Sequence, residues 1–176
     1  DYNLIVKRDT NYTKSLYSCQ RHFAMETKQY KVNELAKELG LKNDLYLKRE
    51  DKLKPYVSHK GRSIPVMIRK HHLESVNGLH QQDFCISSSG NAALAAILAI
   101  KEFNKNPDNK NKLGIKVFVG KNIDQKKLEI LNNVINGDDK ISVEQVEKPK
   151  QKAFQLDKTG EAKFLRQSTD DTALIG

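Results

Sequence analysis

The chain is poor in cysteine and tryptophan and has no long apolar run. It contains two cysteines, four prolines and no tryptophan among 176 residues. Its longest apolar run, residues 92–100, has nine residues, whereas a membrane-spanning helix needs about 20. The start, Asp1 to Asp9, lacks a basic segment followed by an apolar one. We therefore predict neither a membrane span nor a signal peptide. The chain also starts without Met, so we expect the native N-terminus to lie further upstream.

The two cysteines, Cys19 and Cys85, lie far apart in the sequence and fit no metal-binding spacing, so we predict no metal site. Cys85 falls in an apolar, strand-like segment, which predicts a buried free thiol. Free thiols are typical of a reducing compartment, and we expect the protein to be cytoplasmic.

The net charge of +9 raises the question of a nucleic-acid partner. The lysines are scattered, however, and mixed with Asp, Glu and Asn. No run of five like charges occurs, and no basic stretch is interleaved with aromatic residues that would stack on bases. A basic nucleic-acid-binding domain is thus a distant alternative, and we expect neither nucleic acid nor a membrane as partner.

Apolar segments of strand and helix type alternate along the chain, which predicts an α/β protein with a mostly parallel sheet. Strands are predicted at residues 45–47, 84–86, 115–119, 141–146 and 163–166. Helices are predicted at residues 32–39, 92–103, around 128–131, and from 149 to about 160. Ligands bind such sheets where strands end at their carboxyl edge.

The segment Ser87-Ser88-Ser89-Gly90-Asn91 stands at such a place, between a predicted strand and a predicted helix. Backbone N–H groups at a helix start bind carboxylate or phosphate, and glycine lets a ligand come close to the backbone. Serine hydroxyls at this position equally often serve only to cap the helix. The residues alone leave both interpretations open.

Lys60 lies in the segment Lys54 to Arg62. A single lysine is ordinarily a solvated surface charge. A lysine forms a Schiff base when burial and its neighbours hold the amine partly neutral, because only the neutral amine attacks a carbonyl carbon. The segment by itself does not establish that environment.

Three segments in order change this assessment. They are Lys48-Arg49-Glu50-Asp51, Pro55-x-x-Ser58-x-Lys60, and Ser88-Ser89-Gly90-Asn91-Ala92. Together they resemble fold-type II pyridoxal-phosphate enzymes, the family of threonine synthase, the threonine and serine dehydratases, cysteine synthase and the tryptophan synthase β-subunit. The resemblance covers roughly residues 30 to 176. It implies a three-layer α/β fold with a parallel sheet like that of the tryptophan synthase β-subunit, present here in incomplete form.

The resemblance also implies roles for individual residues. Lys60 would bind pyridoxal 5'-phosphate as a Schiff base and move the substrate α-proton. Asn91 would donate a hydrogen bond to the cofactor ring oxygen, and His59 would lie along the cofactor. The substrate carboxylate would be bound by Ser88, Ser89, Gly90, Asn91 and Ala92.

The implied activity is that of a lyase or synthase acting at Cβ of a small hydroxy- or O-activated amino acid. The loop is more similar to those of the threonine and serine dehydratases and threonine synthase than to that of the tryptophan synthase β-subunit, which favours a carbon–oxygen lyase of amino-acid metabolism. The full-length enzyme would be a homodimer. The alternative is a non-catalytic half or a regulatory module with the same fold.

The sequence departs from the family pattern at three places. Tyr56-Val57 replaces a Thr-Gly pair, which predicts a changed loop path, and residues 27–30 stand where Thr-Pro-Leu is common. The glycine-rich phosphate loop would follow the last predicted strand and does not occur in the sequence, so we expect the chain to be part of a longer enzyme. Its domains would be 1–40, the start of the larger domain; 41–162, the smaller mobile domain with Lys60 and the serine loop; and 163–176, the return into the larger one.

Overall fold

The computed structural model of the protein describes residues 26–77, 83–107, 109 and 111–170. The elements follow in the order β1 (Gln29–Lys31), α1 (Asn33–Glu38), β2 (Tyr46–Lys48), a 3-10 turn (Glu50–Lys52), α2 (Lys60–Asn77), β3 (Asp83–Ser87), α3 (Asn91–Lys105), β4 (Ile115–Gly120), α4 (Gln125–Ile135), β5 (Ile141–Val146), α5 (Pro149–Thr159) and β6 (Ala162–Phe164).

A four-stranded parallel sheet forms the centre of the molecule, with strand order β5-β4-β3-β6. β3 pairs with β4, where Phe84 lies opposite Ile115, and with β6, where Asp83 lies opposite Ala162. Because all four strands run in the same direction, their carboxyl ends meet at one edge of the sheet.

Both faces of the sheet are covered, as parallel sheets require. Helices α2, α3 and α4 pack on one face, where α3 contributes the fully buried Ala93, Ala95 and Ala96. These small side chains let α3 lie close to its neighbours. Helix α5 covers the other face over Phe118 and Phe164. The three-layer parallel α/β fold predicted from the sequence is confirmed.

A smaller N-terminal unit consists of α1 and the antiparallel pair β1–β2, in which Gln29 lies opposite Lys48. It carries most of the exposed large apolar side chains of the described chain: Tyr30, Leu35, Leu39, Leu41, Tyr46 and Leu47. The predicted domain boundaries at residues 40 and 162 stay predictions. β1 lies before the first of them and its partner β2 after it.

Cys85 is a buried free cysteine, as predicted. Its thiol lies 3.5 Å from the carbonyl oxygen of Ala153, and burial, assisted by the charge of Asp157, raises its pKa to about 12. A thiol with that pKa stays protonated at neutral pH and behaves as a core side chain. Cys19 lies outside the described residues. None of the described helices has the length and apolar character to cross a membrane.

A buried and an exposed position on the α5 side of the sheet can be compared by making the same substitution at two phenylalanines. Phe118 is 1% exposed beneath α5, whereas Phe154 on α5 is 49% exposed. Phe118→Ala leaves a cavity and should lower the free energy of unfolding by about 3–5 kcal/mol. Phe154→Ala should cost about 1 kcal/mol or less, mainly its contact with the Arg166 guanidinium. Urea denaturation measures both, and equal losses would contradict the packing described here.

Candidate active site

The start of α2 and the start of α3 lie at the same edge of the sheet. α3 begins at Asn91, directly after β3, so its N-terminus is at the carboxyl edge. His72 of α2 contacts Phe103 of α3, with ring centroids 4.8 Å apart. His72 is twelve residues after Lys60 and Phe103 twelve after Asn91, so the contact lies about 18 Å from each helix start. Because a hydrogen bond from Gln167 to Ser63 also holds the start of α2 at the carboxyl edge, the two helices run in parallel.

A second contact places the first turn of α2 at the carboxyl edge. Gln167, which follows β6, donates a hydrogen bond from Nε2 to Ser63 Oγ over 3.1 Å. Since β6 pairs with β3, the residues after both strands lie next to the start of α2. Lys60 and the Ser87–Asn91 segment are thus brought to one region by the fold. Lys60 itself is half-buried, and His59 is exposed.

The Ser87–Asn91 segment is a strand-to-helix turn, as predicted. β3 ends at Ser87 and α3 begins at Asn91. No described side chain caps α3; the only serine hydroxyl bond in the turn is that of Ser88 Oγ, which accepts from the N–H of Gly90 at 3.3 Å. The interpretation in which the serines cap the helix is therefore wrong. The first N–H groups of α3 remain available to an anion.

The space in front of this turn is open. A Cβ added to Gly90 would meet no atom within 4 Å. A cavity of about 460 Å³ lies beside the turn, at the carboxyl ends of β3, β4 and β5. Its walls are formed by Ser89, Gly120, Lys121, Asn122, Ile123 and Glu147. An ion pair of 2.8 Å between Lys121 and Glu147 joins two of these loops. Lys60 does not line this cavity, which belongs to the side of the turn away from α2.

The loop that leads to Lys60 is anchored by buried side chains. Tyr56 is 1% exposed, and a Cβ at Gly61 would lie 2.2 Å from the Tyr56 Cβ, so only glycine fits at position 61. Val57 has a φ of +56°, the left-handed conformation that favours glycine. The departure from the Thr-Gly pattern noted in the sequence therefore places a β-branched residue in an unfavourable backbone conformation.

Ser58 adds a polar group to this loop. Its side chain is 5% exposed, and among the described residues its Oγ is buried with no hydrogen-bond partner. An unsatisfied buried hydroxyl costs free energy unless a ligand or water completes it. Its position two residues before Lys60 fits a site for a cofactor with several acceptor oxygens.

A cluster of charged and polar side chains, which was not predicted from the sequence, holds α2 at Arg62. Arg62 donates from Nε to Glu50 Oε2 at 2.8 Å and from Nη2 to Glu50 Oε1 at 2.9 Å. Thr27 Oγ1 donates to Glu50 Oε1 at 2.6 Å and accepts from Arg62 Nη2 at 3.1 Å. The Arg62 hydrogen bonds, with a smaller one from Thr27, lower the pKa of Glu50 to about 2. Glu50 belongs to the segment Lys48-Arg49-Glu50-Asp51, but nothing in the sequence pairs it with Thr27 or Arg62.

Comparison of the sequence with protein-family models and with curated proteins gives no match. Comparison with solved structures gives several. A pyridoxal 5'-phosphate-dependent aspartate racemase matches with a TM-score of 0.64 and 22% identity over 92% of this chain and 46% of that chain. The processed form of threonine deaminase isoform 2 from Solanum lycopersicum matches with a TM-score of 0.62 and 20% identity over 96% and 46%. Maize serine racemase matches with a TM-score of 0.57 and 16% identity over 87% and 43%.

The chain has the fold of the fold-type II pyridoxal-phosphate enzymes. It spans less than half the length of each of these structures. The names of the matching structures include racemases and a deaminase, so the fold alone does not select a reaction. The likeness does not show which residues of this chain carry chemistry.

The backbone at position 57 can be tested by restoring glycine. Val57 is 56% exposed, so Val57→Gly loses little burial and relieves the left-handed strain. It should raise the free energy of unfolding by about 1 kcal/mol. Val66→Gly makes the same chemical change inside α2 and should lower it by about 1 kcal/mol or more. Guanidinium denaturation distinguishes the two signs, and a loss at position 57 would show that the conformation is not strained.

Glycine at position 61 should be far less replaceable than glycine at position 90. Gly61→Ala forces the added Cβ against Tyr56 and should lower the free energy of unfolding by about 1–3 kcal/mol. Gly90→Ala adds a methyl group in open space and should stay within about 0.5 kcal/mol of the wild type. Thermal unfolding of the two variants checks this. A stable Gly61→Ala protein would mean that the loop before Lys60 packs differently.

Proposed function

We propose that the chain is the part of a pyridoxal-phosphate enzyme that carries the cofactor lysine and the substrate-carboxylate turn. The observation that supports this most is the convergence of Lys60 and the Ser87–Asn91 turn at one edge of the sheet, through the parallel packing of α2 on α3. Neither the position of Lys60 nor that of the turn would by itself distinguish a reactive lysine from a surface lysine. Together they support the proposal that the Lys60 amine and a turn able to bind an anion act in one site.

The residues near Lys60 fit the cofactor. Lys60 would hold it covalently through Nζ. Asn91, at the first position of α3, would donate a hydrogen bond to its ring oxygen, and His59 would lie along it. The buried Ser58 hydroxyl has no partner among the described residues and is available as a donor. When bound, pyridoxal phosphate withdraws electrons from the substrate Cα and so makes loss of the α-proton easier.

The protein's own residues would perform the remaining tasks. The N–H groups of Asn91 and Ala92, with the hydroxyls of Ser88 and Ser89, would bind the substrate carboxylate beside Gly90, at the positive end of the α3 dipole. This would orient the Cα–H bond toward Lys60, whose Nζ would accept the proton once the substrate amine has taken its place on the cofactor. The cavity beside Ser89 would receive the far end of the substrate.

We propose an amino-acid lyase or synthase that acts at Cβ, with loss of a hydroxyl or activated oxygen, as in a threonine or serine dehydratase or a threonine synthase. Support comes from the Ser-Ser-Gly-Asn-Ala turn and from the deaminase among the matching structures. The substrate would be a small amino acid. Residues 41–162 would act as the smaller mobile domain, and the full-length enzyme would be a homodimer.

Cofactor capture by Lys60 tests this function. One equivalent of pyridoxal phosphate, added to the full-length enzyme that would include the phosphate loop and trapped with borohydride, should be found by peptide mass spectrometry mainly on Lys60. The chain ending at Gly176 should trap it weakly or not at all, because the phosphate would lack its loop. Lys60→Ala should remove that label, because the cofactor needs this amine, while thermal unfolding stays unchanged. Lys54→Ala, at an exposed lysine in the same loop, is the matched control and should leave the Lys60 label intact. Label spread over the exposed lysines without preference would sink the proposal.

Activity provides the second arm of the same experiment. The full-length enzyme is assayed for keto-acid release from L-serine, L-threonine and O-activated homologues. Release that Lys60→Ala abolishes and Lys54→Ala preserves supports the lyase. Selective capture on Lys60 without turnover of any of these substrates would favour the non-catalytic or regulatory module instead.

A further inference from the structure

We propose that Thr27, Glu50 and Arg62 form a positioning network that holds the first turn of α2 and thereby directs the Lys60 amine. The role of Lys60 itself rests on the proposed function. The network brings together three segments that are far apart in sequence: the residue before β1, the 3-10 turn after β2, and the start of α2. Among the described residues it is the side-chain cluster closest in sequence to Lys60.

Hydrogen bonds join each of the three side chains of the network to the other two. The guanidinium of Arg62 grips both carboxylate oxygens of Glu50, at 2.8 and 2.9 Å. The Thr27 hydroxyl sits between them, donating to the carboxylate at 2.6 Å and accepting from the guanidinium at 3.1 Å. Two-pronged bonds between charged groups fix direction as well as distance. Each of the three side chains therefore restrains the other two.

The geometry of a helix explains how this restraint reaches Lys60. Arg62 follows Lys60 by two positions, which is about 200° around the helix axis. The network thus holds α2 from the side opposite to the Lys60 side chain. The loop before Lys60 is irregular, so the helix start has no preceding regular element to fix it. Gln167 binds Ser63 at the next position and completes the restraint of this turn.

Burial and charge make the network strong. The side chains of Arg62 and Glu50 are 27% and 23% exposed, and the Glu50 pKa of about 2 keeps the carboxylate charged at every physiological pH. The neighbouring pair Arg49–Asp51 is equally short, at 2.6 Å, but it is exposed and joins residues two positions apart. That pair makes no contact with α2 and therefore supplies a control of matched chemistry.

The experiment uses two reporters on the Lys60 amine, in Glu50→Gln, Thr27→Val, Thr27→Ser and Asp51→Asn. The first is the rate of acetylation of Lys60 relative to Lys54, by mass spectrometry. Glu50→Gln should raise it about tenfold, because losing bonds to a charged group lets the turn open more often. Thr27→Val should raise it about threefold. Thr27→Ser keeps the hydroxyl and Asp51→Asn lies outside the network, so neither should change it.

The second reporter is the fraction of one equivalent of pyridoxal phosphate trapped on Lys60 in the full-length enzyme that carries each substitution. It should fall severalfold in Glu50→Gln and Thr27→Val while acetylation rises. A loss of structure alone would raise both, since it exposes the amine to every reagent. Thermal unfolding confirms that each variant is folded at the assay temperature. If Glu50→Gln is not, the comparison of Thr27→Val with Thr27→Ser decides.

Three results would overturn the network. They are Glu50→Gln behaving like Asp51→Asn, Thr27→Ser behaving like Thr27→Val, or trapping and acetylation rising together. Failure of the proposed function looks different. In that case the wild-type Lys60 traps no more pyridoxal phosphate than Lys54 does, and the acetylation rates alone decide whether the network holds the lysine.

Discussion

The packing of α2 along α3 determines where the candidate site residues lie. α3 presents alanines to its neighbours, and Ile64, Met67 and Ile68 of α2 are buried in the same core. Small side chains bring the two helix axes close, and the hydrogen bond from Gln167 to Ser63 sets the start of α2 at the carboxyl edge. Because α3 begins where β3 ends, the start of α2 is carried to the carboxyl edge of the sheet. The packing of α2 on α3 therefore fixes the position of Lys60 relative to Asn91.

Electrostatics adds a pH limit to this arrangement. The pKa of Glu50 is lowered from 4.5 to about 2 in the folded chain. A depressed carboxylate pKa contributes stability above the unfolded value, and this contribution is lost as pH falls through the folded one. The network around Arg62 is therefore intact at neutral pH and weakens between about pH 4.5 and 2. The buried thiol of Cys85 adds no comparable dependence near neutral pH, since its pKa is about 12.

The sequence predicts those elements whose burial leaves a mark on composition. Strand β3 contains the buried apolar run 84–86 and β4 the run 117–119, because both faces of the sheet are covered. β5 was predicted with the bounds it has. β1 was not predicted, since it is three exposed residues with no alternation. The length of α2 was hidden as well. Its sequence is polar on average, and Pro65 lies at its sixth position, where proline disfavours a helix.

The candidate site shows the same division. The strand-to-helix turn was predictable because its residues are contiguous and its function depends on local backbone geometry. The resemblance supplied Lys60 through the order of three motifs rather than through periodicity. Thr27, Glu50 and Arg62 form their cluster across 23 and 12 sequence positions, and such a contact exists only once β1, β2 and α2 are assembled. No local pattern encodes it.

The same cluster joins the two units of the described structure. Thr27 lies before β1 and Glu50 after β2, so both ends of the N-terminal unit meet at Arg62. That unit exposes apolar side chains, whereas the faces of the parallel sheet are covered. A displacement of the unit relative to the sheet would have to separate the Glu50 carboxylate from the Arg62 guanidinium. Arg62 consequently holds the start of α2 to the N-terminal unit. The buried residues that follow it, Ile64, Met67 and Ile68, hold the helix to the core over the sheet.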